Sequence, residues 1–266
     1  MRMSPFPRLQ LRSQRDGLKS KRVRKYVEQK LAIGWTPELI AGRLQRQGTL
    51  PSVCHEAIYQ YIYRVAPELI RSLPRHHPKR KTKRLYRQTG ERIKNRNGLE
   101  RRPSAATARR VCGHWEADTL VAGDRQHGLN VLVDRKSRLT HISFLVQKTA
   151  AETHKVIRRR LINYPRALRQ SITYDNGSEN TGHEAINGAL GTQSYFCAPY
   201  HSWEKGSVEQ VNGLIRRFWP KGSNFKHLPS AALTRIEKLL NHRPRKCLDY
   251  RTPYEVFREV RGALPG

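Results

Sequence analysis

Three apolar runs follow one another closely in the middle of the chain: HWEADTLVAG from residue 114, GLNVLVDRK from 128 and RLTHISFLVQ from 138. Each has strand length and is bounded by turn residues. Leu129, Val131 and Val133 alternate with further apolar residues between them, the pattern of a mostly buried strand. Residues 150–164 read as a helix stopped before Pro165, SITYD (171–175) as a fourth strand, 183–190 as a short helix, and SYFC (194–197) as a fifth strand. One more helix follows. The order β-β-β-α-β-α-β-α constrains residues 111–225 to an α/β layer fold, with helices covering a mixed sheet.

That last helix is the most informative. Ser207, Val208, Glu209 and Gln210 fit a capping box, with Ser207 as cap. Val211, Leu214, Ile215 and Phe218 form its apolar stripe, while Glu209, Asn212 and Arg216 share the opposite face, and Pro220 ends it.

Ahead of this core the pattern differs. Val23, Val27 and Leu31 recur every four residues. Thr36-Pro37-Glu38 reads as a cap, with Leu39, Ile40 and Leu44 behind it, until Gly48 and Pro51 break the pattern. Ser52 can cap a third helix carrying Val53, Ala57, Ile58, Tyr61 and Ile62. Three short helices in a basic protein suggest a helix-turn-helix that offers His55, Glu56, Tyr59 and Gln60 to a DNA groove; a plain three-helix bundle fits the same pattern. Between 75 and 110 stand 14 Lys or Arg and two Glu, with few apolar residues, so this stretch reads as a mobile basic linker.

Charge says what such a chain meets. The 52 Lys plus Arg against 21 Asp plus Glu give +31, which implies a polyanionic partner. No apolar run approaches the roughly 20 residues of a membrane span. MRMSPFPRLQ lacks the apolar core of a signal peptide. Cys54, Cys112, Cys197 and Cys247 lie far apart with no zinc spacing, and read as reduced thiols in a cytoplasmic protein.

Against that charge, three acids stand on separate predicted elements: Asp118 on the first strand, Asp175 at the end of the fourth, before the Asn176-Gly177 turn, and Glu209 in the first turn of the last helix. Carboxylates from three elements can hold two Mg²⁺ ions, which clamp the attacking and leaving oxygens of a phosphodiester. Spacing alone leaves other choices open. Glu116 shares a strand face with Asp118, and Glu179 and Glu204 lie near the other two.

HWEAD, TYDNGSE, YFCAPYHSWEKGSVEQVNGLIRRFWPKGSNF and NHRPRKCLDYRTPYEVF, in that order, resemble the bacterial DDE transposases of the insertion-sequence-thirty family over residues 19–260. The resemblance implies an α/β, ribonuclease-H-like catalytic core over 111–225, similar to retroviral integrase. Before it would come an N-terminal extension (1–18), a small all-α helix-turn-helix domain (19–74) and the basic linker (75–110), and after it a C-terminal helical segment (226–266). It implies Asp118, Asp175 and Glu209 as catalytic metal ligands, with 33 residues between the last two, and Glu116, Asn176 and Asn212 in support. Arg216, Arg217, Lys221, His55, Gln60, Lys79, Arg80 and Lys81 are then the expected DNA contacts. The cofactor is two Mg²⁺, for which Mn²⁺ can substitute. The partner is double-stranded DNA, both element ends and target, bound by a homodimer or larger assembly in a bacterial cytoplasm at the nucleoid. One departure stands out: the family's further N-terminal helix-turn-helix has no counterpart here. Weak recognition of element ends is therefore expected, and a truncated or catalytically inactive DNA-binding remnant is the alternative reading.

Overall fold

The computed structural model describes residues 18, 20–73, 93–198 and 202–264, which divide between two compact units, 1–81 and 82–266. The first unit is three helices: α1 (Lys21–Ala32), α2 (Pro37–Gln47) and α3 (His55–Arg64). Ser20 caps α1 and Thr36 caps α2, each side chain accepting from a backbone N–H three residues on. Val23, Val27, Leu31, Ile40, Leu44, Ile58 and Ile62 close one small core. The tyrosine hydroxyl of Tyr61 donates to Glu28 and ties α3 to α1. The third helix starts later than its sequence pattern suggests. Cys54, not Ser52, is its N-cap, and the Cys54 thiol accepts from Ala57 N–H at 3.4 Å. The connection from α2 to α3 runs over 48–54, longer than the three or four residues of a tight helix-turn-helix.

The second unit opens with a strap that holds the short α4 (Ser104–Thr107), before β1 (His114–Val121), β2 (Gly128–Asp134), β3 (Thr140–Leu145), α5 (Ala150–Leu161), β4 (Ser171–Tyr174), α6 (His183–Leu190), β5 (Gln193–Phe196), α7 (Gly206–Ile215), α8 (Ser230–Asn241) and α9 (Pro253–Gly262). The sheet order is β3-β2-β1-β4-β5. The first three strands form an antiparallel meander, and β4 and β5 add parallel to β1. This is the mixed, helix-covered sheet that the order of elements in the sequence implies. One face packs Trp115, Leu132, Ile172 and Tyr174 against α5, α6 and Phe257 of α9. The other packs Leu120, Leu129, Val131 and Val133 against Val208, Val211 and Ile215 of α7 and Leu233, Ile236 and Leu240 of α8. Among the described residues no helix is long and apolar enough to cross a membrane.

Two expected boundaries move. Residues 93–110 are not free linker. Gly98 bridges to Phe196, Phe196 N–H donates to Asn97, Ala106 is fully buried, and Arg102 reaches Thr173 from the strap. An edge strand satisfies its backbone with any extended segment, apolar or not, so low apolar content did not keep this stretch off the sheet. Lys79, Arg80 and Lys81 lie outside the described residues. The C-terminal segment also belongs to the core. Asn241 exchanges two 2.8 Å bonds with the Thr140 backbone, and Glu237 accepts from Ile142 N–H, so α8 covers the open edge of β3.

Where β1 enters the sheet the chain needs Gly113. Its φ is +96°, and a side chain there would run into the Ala167 carbonyl. Next to it His114 is buried, its Nδ1 2.7 Å from Ser171 Oγ. Burial, helped by the positive charges of Arg102 and Arg135, draws the imidazole down to about 4. The folded state therefore refuses a proton that the unfolded chain accepts below about 6.5. Stability from this group is complete above that value and is lost as pH falls from about 6.5 toward 4. Urea unfolding of the wild type and His114→Asn at pH 7 and 4.5 should show the wild-type advantage shrinking by about 2 kcal/mol at the lower pH. A gap that does not change with pH would contradict this account.

Candidate active site

The register of β1 on β4 decides where two of the acids go. Glu116 pairs with Thr173 in a parallel ladder, and the pairing ends there. Two residues further, each strand reaches an aspartate, Asp118 on β1 and Asp175 just past the end of β4. Adjacent strands are about 4.8 Å apart, and residues in register point to one face. The two carboxylates therefore share a face and a level just past the β1–β4 ladder, Asp118 within β1 and Asp175 beyond the carboxyl end of β4, where open α/β sheets place their sites.

Lys205 joins them. Its ammonium donates to Asp118 Oδ1 at 3.0 Å and the Ala117 carbonyl at 3.1 Å, and pairs with Asp175 Oδ2 at 3.3 Å. Only 4% of its side chain is exposed. Burial works against the ammonium, yet Asp118 and Asp175 outweigh it and lift Lys205 to about 12. Burial pushes the Asp118 carboxyl up, Lys205 opposes that, and the negative Asp175 adds to it. Asn212, on α7, donates to the other Asp118 oxygen, and Asn180 donates to Asp175 Oδ1 at 2.8 Å.

Lys205, Glu209 and Asn212 fall at i, i+4 and i+7, one face of a helix. The first and last both reach Asp118; Glu209 falls between them in sequence, with its side chain exposed. The expected capping box is absent. Ser207 lies inside α7 and its hydroxyl accepts from Arg138, while Lys205 is the N-cap and makes no side-chain cap. Phe218 falls beyond the helix and is 43% exposed instead of completing the apolar stripe.

Glu116 shares the Asp118 face, but its carboxylate is fully buried and turned away from the site. One oxygen pairs with Arg135 and the other accepts from Val208 N–H at 2.9 Å. Burial draws the Arg135 guanidinium down to about 10 against the pull of Glu116. Glu116 thus pins the first turn of α7, one residue ahead of Glu209, to the strand that carries Asp118. The alternatives are also placed. Glu204 accepts from Ala198 N–H at 2.9 Å, and Glu179 is buried beside Asp175, with Lys148 at 3.4 Å and its carboxyl pushed up by burial.

The remaining expected residues divide. Asn176 donates to the Cys197 carbonyl at 3.1 Å and accepts from Arg96 at 2.6 Å, which holds the turn after Asp175. Arg216 is turned inward, giving Val121 and Pro220 carbonyls its hydrogens, whereas Arg217 and Lys221 are exposed. His55 is exposed at the start of α3 and Gln60 is half-buried on it. Sequence reasoning missed Lys205, Arg135 and Asn180. Of these only Lys205 had a signal, its place four residues ahead of Glu209.

The donor set suits a hard divalent cation, which takes oxygen ligands. Among the described residues no three His, Cys, Asp or Glu side chains already form a metal cage. Two carboxylates do converge on one positive charge, however, and the Asn212 carbonyl oxygen beside them is buried with no partner. The residues fit a metal.

No family model matches the chain. It is 35% identical over 247 residues to transposase InsI for insertion sequence element IS30A of Escherichia coli (strain K12), covering 88% of this chain and 64% of that protein. It is 34% identical to the transposase for insertion sequence element IS1086 of Cupriavidus metallidurans, covering 90% of this chain and 71% of that one. To the transposase for IS4351 of Bacteroides fragilis it is also 34% identical, covering 90% and 73%. The chain thus spans just under two thirds of the length of the Escherichia coli relative. Among solved structures, the catalytic core domain of BIV integrase aligns at 22% identity and a TM-score of 0.42, covering 55% of this chain and 94% of that one.

The Glu116 contacts make it a stability residue. Glu116→Ala strands a buried guanidinium and the Val208 N–H, and should cost about 3–5 kcal/mol in urea unfolding. Glu116→Gln, which can still accept from Val208, should cost less. Near-wild-type stability of the alanine variant would show that α7 is held by something else.

Proposed function

Because the chain belongs to the insertion-sequence-thirty family of transposases, we propose that it cuts phosphodiesters at insertion-element ends and joins the freed 3′-OH to a second DNA. The observation that supports this reading is the convergence of Asp118 and Asp175 on Lys205 where the β1–β4 ladder ends, with Glu209 four residues on from Lys205 in α7. Asp118, Asp175 and Glu209 would hold two magnesium ions, which when bound neutralise charge on the phosphate and make water a competent nucleophile.

The chain's own residues prepare that site. Asn212 and Asn180 each hold one oxygen of Asp118 and Asp175, so the other two, which Lys205 joins, stay aimed at one point. Glu116 and Arg135 keep α7 at its distance from β1. The exposed Arg217 and Lys221, just beyond α7, meet DNA phosphates and orient the backbone for in-line attack. No Ser or Tyr nucleophile is required, because each strand exchange is a direct displacement at phosphorus. The three-helix unit takes the DNA-reading role through His55 and Gln60 on α3, and the basic segment with Lys79, Arg80 and Lys81 adds phosphate contacts that carry no sequence information. Two ends must be held together, so the working form is a homodimer or larger, in the cytoplasm at the nucleoid.

Asp118→Asn, Asp175→Asn and Glu209→Gln should each reduce Mg²⁺-dependent nicking and strand transfer of end-bearing DNA to background while leaving the DNA-binding isotherm unchanged. Residual cleavage near the wild-type rate would remove that residue from the site. A wild-type chain that binds ends but never cleaves them would make it a DNA-binding remnant.

A further inference from the structure

We infer that Lys205 is an internal counter-cation that holds Asp118 and Asp175 together while no divalent ion is bound, and that metal entry drives its ammonium out. The inference rests on the reading of these aspartates as metal ligands. Three observations support it. The ammonium's three hydrogens are spent on three oxygens from two elements, Asp118 Oδ1, the Ala117 carbonyl and Asp175 Oδ2, at 3.0, 3.1 and 3.3 Å. That is the task of a small cation at a carboxylate pair, and Lys205 does it almost wholly out of water. Second, the two tenants exclude each other. Magnesium binds its oxygens at about 2.0–2.1 Å, so an ammonium about 3 Å from the same oxygens would stand within about 4 Å of a dication and be repelled by it. Third, the anchor permits exchange. Lys205 is the residue before α7, and its four-carbon stem can swing while the helix, held by Glu116 at Val208, stays in place.

Without Lys205, two acids on neighbouring strands would face each other with no cation between them. The lysine therefore stabilises the metal-free protein and lowers its apparent affinity for metal, since an entering ion must first displace a cation already paired. A lysine that merely orients the aspartates for the metal has the opposite effect, because its removal would weaken binding.

The sign of the change decides between them. Mn²⁺ binding to the full chain without DNA, followed by electron paramagnetic resonance or calorimetry, should be at least about tenfold tighter for Lys205→Met than for the wild type. Lys205→Arg, which keeps the charge, should stay near wild type, and the Asp118→Asn/Asp175→Asn double variant should lose the site. Equal or weaker binding by Lys205→Met overturns the inference and leaves the metal-ligand reading standing. Failure of the wild type and Lys205→Met alike to bind any more Mn²⁺ than the double variant removes both. The wild type supplies a measurement that does not depend on how the variants fold. Acylation of Lys205 by an amine-reactive ester, read by peptide mass spectrometry, should rise several-fold when Mn²⁺ is added. Unchanged labelling would likewise overturn the inference.

Discussion

The parallel pairing of β1 with β4 is the constraint from which the site follows. With Glu116 opposite Thr173, the two strands arrive at Asp118 and Asp175 together, on one face, at the level where their ladder ends. A slip of one residue would send either carboxylate into the opposite core. Register in turn depends on packing. Trp115 and Ile172 are fully buried under α5, α6 and α9, so the odd face of β1 is committed to apolar contact and the even face is left for Glu116 and Asp118. The first of these binds the helix and the second faces the cleft.

Three residues on one strand therefore do three jobs. Trp115 fills a core, Glu116 spends both oxygens on Arg135 and the α7 backbone, and Asp118 reaches Lys205 and Asn212. In a chain of net charge +31, several acids of the second unit are each met by a cation. Glu116 has Arg135, Glu237 has Arg160 and His141, Glu179 has Lys148, and the two aspartates share Lys205.

Much of this was legible from residues alone. Strand alternation and helix breakers fixed the element order, and α6 begins and ends where its pattern says. Asp175 fell at a strand end because Asn176-Gly177 marks it, and Asp118 fell within the first strand. What escaped was long-range. Whether Glu116 or Asp118 is the free acid depends on Arg135, nineteen positions away, and on the α7 backbone, and neither leaves a local trace. Ser207 looked like a cap until Arg138, brought in by the β2–β3 turn, took its hydroxyl. Residues 93–110 looked like tether because they lack apolar side chains, yet they dock through backbone and through Ala106. The capping box that does form, Thr252 with Glu255, starts α9.

The central claim is that Asp118, Asp175 and Glu209 converge on one divalent site. Anomalous diffraction from crystals of the full chain grown with Mn²⁺ and end-bearing DNA tests it directly. The account predicts anomalous peaks at about 2.0–2.3 Å, ordinary coordination distance, from carboxylate oxygens of all three residues, with the Lys205 ammonium no longer between the aspartates. Manganese bound elsewhere, or held by the aspartates with Glu209 left in solvent, would contradict it.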